Sequence, residues 1–366
     1  MSTPLLDKDR STVKRIPFNT LAISFGLAGL ASLWSTMAAA LALTDVIPIV
    51  LWLGAATSWV WLIVAHLVRG ARSEETLLSQ LRHPAQGPIV AIVPVVGMLL
   101  GSELYIIWPI GGFVLAAASF LLAGVCAAWI LAFWHTGQLN QEAFHGAFLL
   151  PTVASPLIAS ATAAKLGFPM IAMGAFAVGI FFWVVLVTVL LSRLAFFPPL
   201  PDPLTPTLAI LIAPPAVAGA AWFAMNGVHD DPISLSLLGI LALMIAMQLF
   251  LIPVYRRLPF TLGFWSFTFP AAAAATFIVQ WLELSGFDGW RWVAYGAAGL
   301  VTAGVIAIGL RSIVLVGSVH KGARRAEQTL RRADNAAQKP SRPHDAHPAE
   351  SNDALLDQGR GRGDHE

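Results

Sequence analysis

Long apolar stretches alternate with short polar or Pro/Gly breaks from residue 17 to residue 316. A helix rises about 1.5 Å per residue, so roughly 20 apolar residues cross a hydrocarbon core about 30 Å thick. The stretches between breaks predict ten such helices, over 17–43, 46–69, 87–107, 109–134, 148–165, 168–193, 205–226, 232–255, 260–283 and 289–316. Breaks such as Trp108-Pro109 and Gly167-Phe168-Pro169 are too short for anything but a reversal, so consecutive helices should form five antiparallel hairpins. The expected fold class is an all-α membrane protein of ten transmembrane helices.

Composition agrees and narrows the choice. Of 366 residues, 57% are hydrophobic and only 11% charged, against about 25% charged in soluble domains, and soluble multi-domain readings are excluded. The single cysteine, Cys126, lies in an apolar run, which leaves no disulfide framework and no thiol cluster for a metal. The first apolar stretch begins near Ile16 without the short core and cleavage site of a signal peptide, so it reads as a retained span.

The net charge of +2 matters less than its placement. With the amino terminus in the cytoplasm, Lys8, Arg10, Lys14, Arg15, Arg69, Arg72, Arg82, Arg193, Arg256 and Arg257 fall on the cytoplasmic side. The opposite side keeps Lys165 and Arg291 beside Asp45, Asp230, Asp231 and Asp288. That asymmetry is what the positive-inside rule predicts for a bacterial inner-membrane protein with both termini cytoplasmic. Residues 1–16 read as a cytoplasmic segment, 17–316 as the membrane domain, and 317–366 as a flexible cytoplasmic tail. The first part of that tail, Lys321 to Arg332, has a helical continuation or a simple topology anchor as alternatives.

Proline separates the helices into two kinds. The third carries Pro94, the fifth Pro151 and Pro156, the seventh Pro214 and Pro215, and the ninth Pro270; the first carries Gly26 and Gly29 instead. Even-numbered helices keep Pro48, Pro109, Pro169, Pro232 and Pro253 near their ends. A proline deep in a helix frees a carbonyl that lipid cannot satisfy. The odd helices should therefore be kinked and inner, enclosing an axis, and the even ones a straight lipid-facing shell that needs no polar partner.

Acidic, basic and histidine side chains are missing from the central thirds of the spans. Glu103, Lys165 and Glu283 fall near one set of ends, and His66, Arg193, Arg256 and Arg311 near the other, where long side chains can snorkel. The odd helices carry hydroxyls instead: Ser24, Thr152, Ser155, Ser160, Thr162, Ser266, Thr268 and Thr276. Each either lines a path or bonds between helices. No phosphate loop, zinc-protease motif or nucleophile elbow occurs, so an enzyme is not expected, nor a cofactor, a metal or a nucleic-acid partner. His135, Glu142 and His145, like His344 and His347, read as solvated loop residues rather than a metal site.

Five strings in order carry a resemblance: Gly26-Leu27-Ala28-Gly29-Leu30, His83-Pro84, Leu150-Pro151, Ala213-Pro214-Pro215-Ala216, and Leu262 to Pro270 followed by alanines. Together they resemble the tellurite-resistance/dicarboxylate transporter family, which includes bacterial TehA and plant slow-type anion channels, over about Ile16 to Leu310. The resemblance implies five hairpins around a central pore, a homotrimer with one pore per subunit, and a phenylalanine of the ninth helix that plugs the pore. Phe269 matches that plug. On the residues alone it reads as a packing residue like Phe264 and Phe267. The family's first-helix glycine beside the plug is matched by Ala22, whose methyl would press on the ring.

These readings lead to a gated channel for small anions such as chloride or nitrate. The alternative is a carrier or exporter for dicarboxylate, sulfite or tellurite oxyanions, which would need a cationic or hydrogen-bonding site at mid-depth. A non-transporting membrane scaffold is a third class. Phe269 is the expected gate, with Ala22, Gly26, Pro94, Pro151, Pro214, Pro215 and Pro270 as pore-lining or kink positions.

Overall fold

The computed structural model describes residues 15–137 and 139–337, with side chains as far as Ser318. Lys8, Arg10, Lys14, His344, His347 and the Gly/Arg-rich terminus lie outside the described residues. Ten helices there are long and apolar enough to cross a membrane: Phe18–Leu41, Val46–Ala71, Gly87–Ile107, Pro109–Trp134, Gly146–Lys165, Pro169–Phe196, Thr205–Asn226, Pro232–Tyr255, Leu262–Ser285 and Trp290–Ser318. They are the first to tenth spans below. The helix of the last one is Trp290–Ala337, so the segment 317–337, expected to begin a flexible tail, is helical.

Packing follows the proline segregation. The first and third spans pack on each other, as do the third and fifth, the fifth and seventh, the seventh and ninth, and the ninth and first, which closes a ring. The second, fourth, sixth and eighth spans each lie against the odd span before them. In the odd spans 61%, 56%, 83%, 67% and 50% of the central window is buried, against 17%, 22%, 22%, 17% and 11% in the even ones. Lipid tails are as apolar as leucine, so the even spans lose nothing by facing outward. Pro94, Pro151, Pro214, Pro215 and Pro270 are all buried.

The odd spans are built differently from the expected kinked α-helix. Each opens on tighter or irregular turns and becomes α-helical part way along. The first begins with the 3-10 segment Phe18–Leu21, the third with Gly87–Ala91, the seventh with Thr205–Ile212 and the ninth with Leu262–Phe267. The fifth begins with the 3-10 turn Gly146–Phe148 and a π segment, Leu150–Ala154. Pro94, Pro214, Pro215 and Pro270 stand in the first turn of the α-helical part, where an amide N–H has no α-helical acceptor to lose. A 3-10 run of 8 residues is unusually long, because its hydrogen bonds are poorer. Inside the ring, protein rather than lipid surrounds it. All five odd spans start on one side of the bundle, called the near side here, and end on the far side.

The even spans are not the indifferent shell that hydropathy suggests. Gln248 of the eighth span donates to the Leu208 carbonyl in the 3-10 part of the seventh (2.8 Å) and accepts from the Tyr255 hydroxyl (2.6 Å). Trp59 of the second donates to the Val93 carbonyl beside Pro94 (3.0 Å). Arg193 of the sixth, expected to snorkel, is buried and donates to the carbonyls of Glu142 (3.0 Å) and Pro198 (2.7 Å). Irregular inner backbone leaves carbonyls with spare acceptor capacity, and the outer spans supply the donors.

His145 corrects a second expectation. His135 and Glu142 are exposed, but His145, just before the fifth span, is fully buried. Its Nδ1 accepts the Ala147 N–H (3.3 Å) and its ring meets Phe148 edge-on. That bond leaves the proton of the neutral ring on Nε2. Burial pushes the imidazole pKa down to about 4, opposed by the Pro84 carbonyl and helped by the charge of Arg193.

Candidate functional site

Two cavities occupy the interior of the ring, and all five odd spans line both. The near one, of about 50 Å³, is walled by Asn19, Ala22 and Phe25 of the first span, with matching residues of the others. The far one, of about 490 Å³, is walled by Gly29, Ser32 and Thr36 and their counterparts, and opens wider. Phe269 lines both, and no other residue does. Phe269 therefore stands at the partition between them.

The two cavities are lined at different intervals because the backbone changes type between them. Around the near cavity the wall residues recur every three positions: Asn19, Ala22, Phe25; Thr207, Ile210, Ala213; Gly263, Ser266, Phe269. A 3-10 helix eclipses residues three apart, so one edge of each near half faces inward. Around the far cavity the spacing is α-helical, as in Phe269, Ala273, Thr276, Gln280, Glu283. The changeover on the ninth span falls at Thr268, next to the partition.

Phe269 sits in a tight slot. It is buried, and its ring lies nearly flat on that of Phe25, with centroids 3.6 Å apart and planes 13° from parallel. On the first span one turn beyond Phe25 is Gly29, where a methyl would stand 2.9 Å from Phe269 Cδ2 and 3.3 Å from its Cα. Glycine at 29 is thus what lets the first and ninth spans close around the ring. The resemblance also sets Ala22, one turn before Phe25, beside the plug. In the structure Ala22 lines the near cavity with Phe269, and Gly29 is a further position on the first span where a side chain would collide with the ring.

The remaining expected site residues divide. Pro270 lines the near cavity. Gly26 faces Thr268 and Trp265, where it allows the first and ninth spans to approach. Pro94, Pro151, Pro214 and Pro215 shape the inner spans without lining either cavity. Three of the hydroxyls turn back on their own helices, Ser24 donating to the Leu21 carbonyl, Thr268 to Trp265 and Thr276 to Ala272, while Ser160 reaches Met225 Sδ on the seventh span. Ser266 and Thr276 alone of that set reach a cavity wall.

Charge is distributed unevenly. None of the near cavity's wall residues is ionisable, and the polar ones are Asn19, Thr207 and Ser266. The far cavity holds Glu103, Lys165 and Glu283, with Lys165 Nζ 3.6 Å from Glu103 Oε1. Lys165 is the last residue of its span, so this cation stands at the mouth and not at mid-depth. Among the described residues no group of three or more His, Cys, Asp or Glu could hold a metal ion.

Comparison with known proteins gives the same region a family. The profile of the voltage-dependent anion channel (SLAC1) family matches residues 15–313. The tellurite resistance protein TehA homolog of Haemophilus influenzae is 26% identical over 270 residues, covering 71% of this chain and 79% of that protein. The S-type anion channel SLAH2 of Arabidopsis thaliana is 24% identical over 302 residues, covering 76% of this chain and 54% of the plant protein. The chain thus matches about half the length of the plant relative.

Proposed function

The chain is a multi-pass membrane protein that belongs to the voltage-dependent anion channel (SLAC1/TehA-like) family, and from that premise we propose that it conducts small monovalent anions, such as chloride or nitrate, along the axis of its inner ring with Phe269 as the gate. The observation that supports this reading most directly is the partition: one aromatic ring separates two cavities lined by the same five spans. An ion passing an apolar ring in so narrow a place would shed its hydration with nothing to replace it, so the path is closed by dewetting. Swinging the ring aside would join the two cavities. Next to the gate the far walls are hydroxylic or apolar, with the charged Glu103, Lys165 and Glu283 set near the mouth, which suits weak, transient contacts with an ion and favours anions that dehydrate easily.

The carrier reading would call for a cation at mid-depth, and the only cation on either cavity wall is Lys165 at the mouth. The charge asymmetry supports an inner-membrane location with the near side cytoplasmic. A homotrimer with one conduit per protomer is the assembly that the resemblance implies.

Planar-bilayer recording with ion substitution tests the proposal. Phe269→Ala should raise the anion current at least tenfold over wild type while keeping the order of permeant ions. A current no larger than wild type would discard the gate, and saturable counterflow without a current would replace the channel by a carrier.

A further inference from the structure

The closure described so far is one ring, but the structure shows two. Phe25, on the first span, faces Phe269, on the neighbouring ninth span, inside the ring of inner helices. Aromatic pairs usually sit offset or edge-on with centroids 4.5–7 Å apart. Here the centroids are 3.6 Å apart at 13°, so one ring covers the face of the other almost completely. Phe25 lines only the near cavity, whereas Phe269 lines both. The near cavity therefore meets the Phe25 ring as well as the Phe269 ring at its blind end.

The neighbours of the pair leave Phe269 few directions in which to move. Phe25 blocks one face. The Gly29 and Ala272 side of the slot is closed by backbone and methyl contacts, since even one added carbon at 29 would stand 2.9 Å from the ring. Any swing that joins the cavities must first part Phe269 from Phe25. Both rings are buried, so the contact that is lost on opening has no water to replace it at once.

We propose that Phe25 is the latch of the gate: a positioning residue that holds Phe269 closed by face-to-face contact, so that opening is the unstacking of two rings rather than the rotation of one. This rests on the reading of Phe269 as the gate. A latch acts only through the ring it holds. Removing it should favour the open state when Phe269 is present and do little when Phe269 is already gone.

Chloride efflux from proteoliposomes of the full chain provides the test, with wild type, Phe25→Leu, Phe25→Ala, Phe269→Ala and the double variant Phe25→Ala/Phe269→Ala. Loss of the buried apolar contact between the rings should raise efflux roughly two- to tenfold in both Phe25 variants. Phe269→Ala should exceed either, and the double variant should stay within about twofold of Phe269→Ala alone. Phe25→Leu keeps a bulky apolar side chain without the flat face, so it decides the matter if Phe25→Ala fails to fold. Wild-type efflux in the Phe25 variants beside a raised Phe269→Ala overturns the latch and leaves the gate standing. Efflux that multiplies in the double variant also overturns it, because Phe25 would then obstruct the path independently. A Phe269→Ala efflux no greater than wild type brings down the gate itself, and the latch with it.

Discussion

A neutral histidine sealed at the start of the fifth span has a pH signature. In the unfolded chain His145 takes up a proton near the ordinary imidazole value of about 6.5, whereas in the folded protein it resists until about 4. Between those values the unfolded state binds more protons, so stability falls as pH falls, by an amount of the order of 3 kcal/mol once the lower value is reached. Thermal unfolding in detergent across this window should show the melting temperature dropping toward acid. His145→Asn, which keeps an acceptor for the Ala147 N–H and removes the titration, should flatten the slope; parallel slopes would mean that His145 does not control it. At this scale the sequence was least legible. His145 reads as a loop residue because the loop around it is polar, and only the fold brings it into the interior, edge-on to Phe148, which itself packs on Phe144 and Trp134. Phe25 was likewise invisible as a partner for Phe269, since its counterpart lies on the far side of the chain in sequence.

Between elements, the stability of the inner ring depends on donors from outside it. Gln248→Leu removes the amide that serves the Leu208 carbonyl and strands the Tyr255 hydroxyl. Leaving buried polar groups without partners costs about 1–3 kcal/mol, whereas Tyr255→Phe strands only the Gln248 Oε1 acceptor, keeps the bond to Leu208 and should cost less. Comparing the two by thermal unfolding in the same detergent checks the order, and a Gln248→Leu protein as stable as wild type would show that the Leu208 carbonyl needs no donor. The alternation of proline did reveal which spans are inner, because these prolines mark where 3-10 or π backbone gives way to α-helix, and such irregular backbone belongs among protein rather than lipid. It could not reveal the 3-10 openings. Hydropathy averages over a turn and does not separate a three-residue repeat from a 3.6-residue one, although the repeats Asn19-Ala22-Phe25 and Thr207-Ile210-Ala213 are present in the chain. Gln248 was a usable signal of another kind, a lone amide within the apolar eighth span, which asks for a partner on a neighbouring helix.

Across the whole molecule the two mouths of the axis differ in charge, and conduction should sense it. Glu103, Lys165 and Glu283 come from the third, fifth and ninth spans, so their separate positions near helix ends were readable in the sequence while their common cavity was not. The far mouth carries two carboxylates against one ammonium, a balance unfavourable to anions, and Lys165 is half exposed beside its Glu103 partner. Lys165→Gln leaves the carboxylates unopposed and should lower anion conductance; Glu103→Gln releases the ammonium and should raise it. Both effects act through solvent, where the screening length shrinks from about 14 Å at 50 mM salt to about 4 Å at 500 mM. The two variants should therefore diverge from wild type most at low salt and converge on it at high salt, with the order of permeant ions unchanged because the constriction at Phe269 is untouched. Conductance that ignores both substitutions at 50 mM would place the ion path elsewhere than the far cavity.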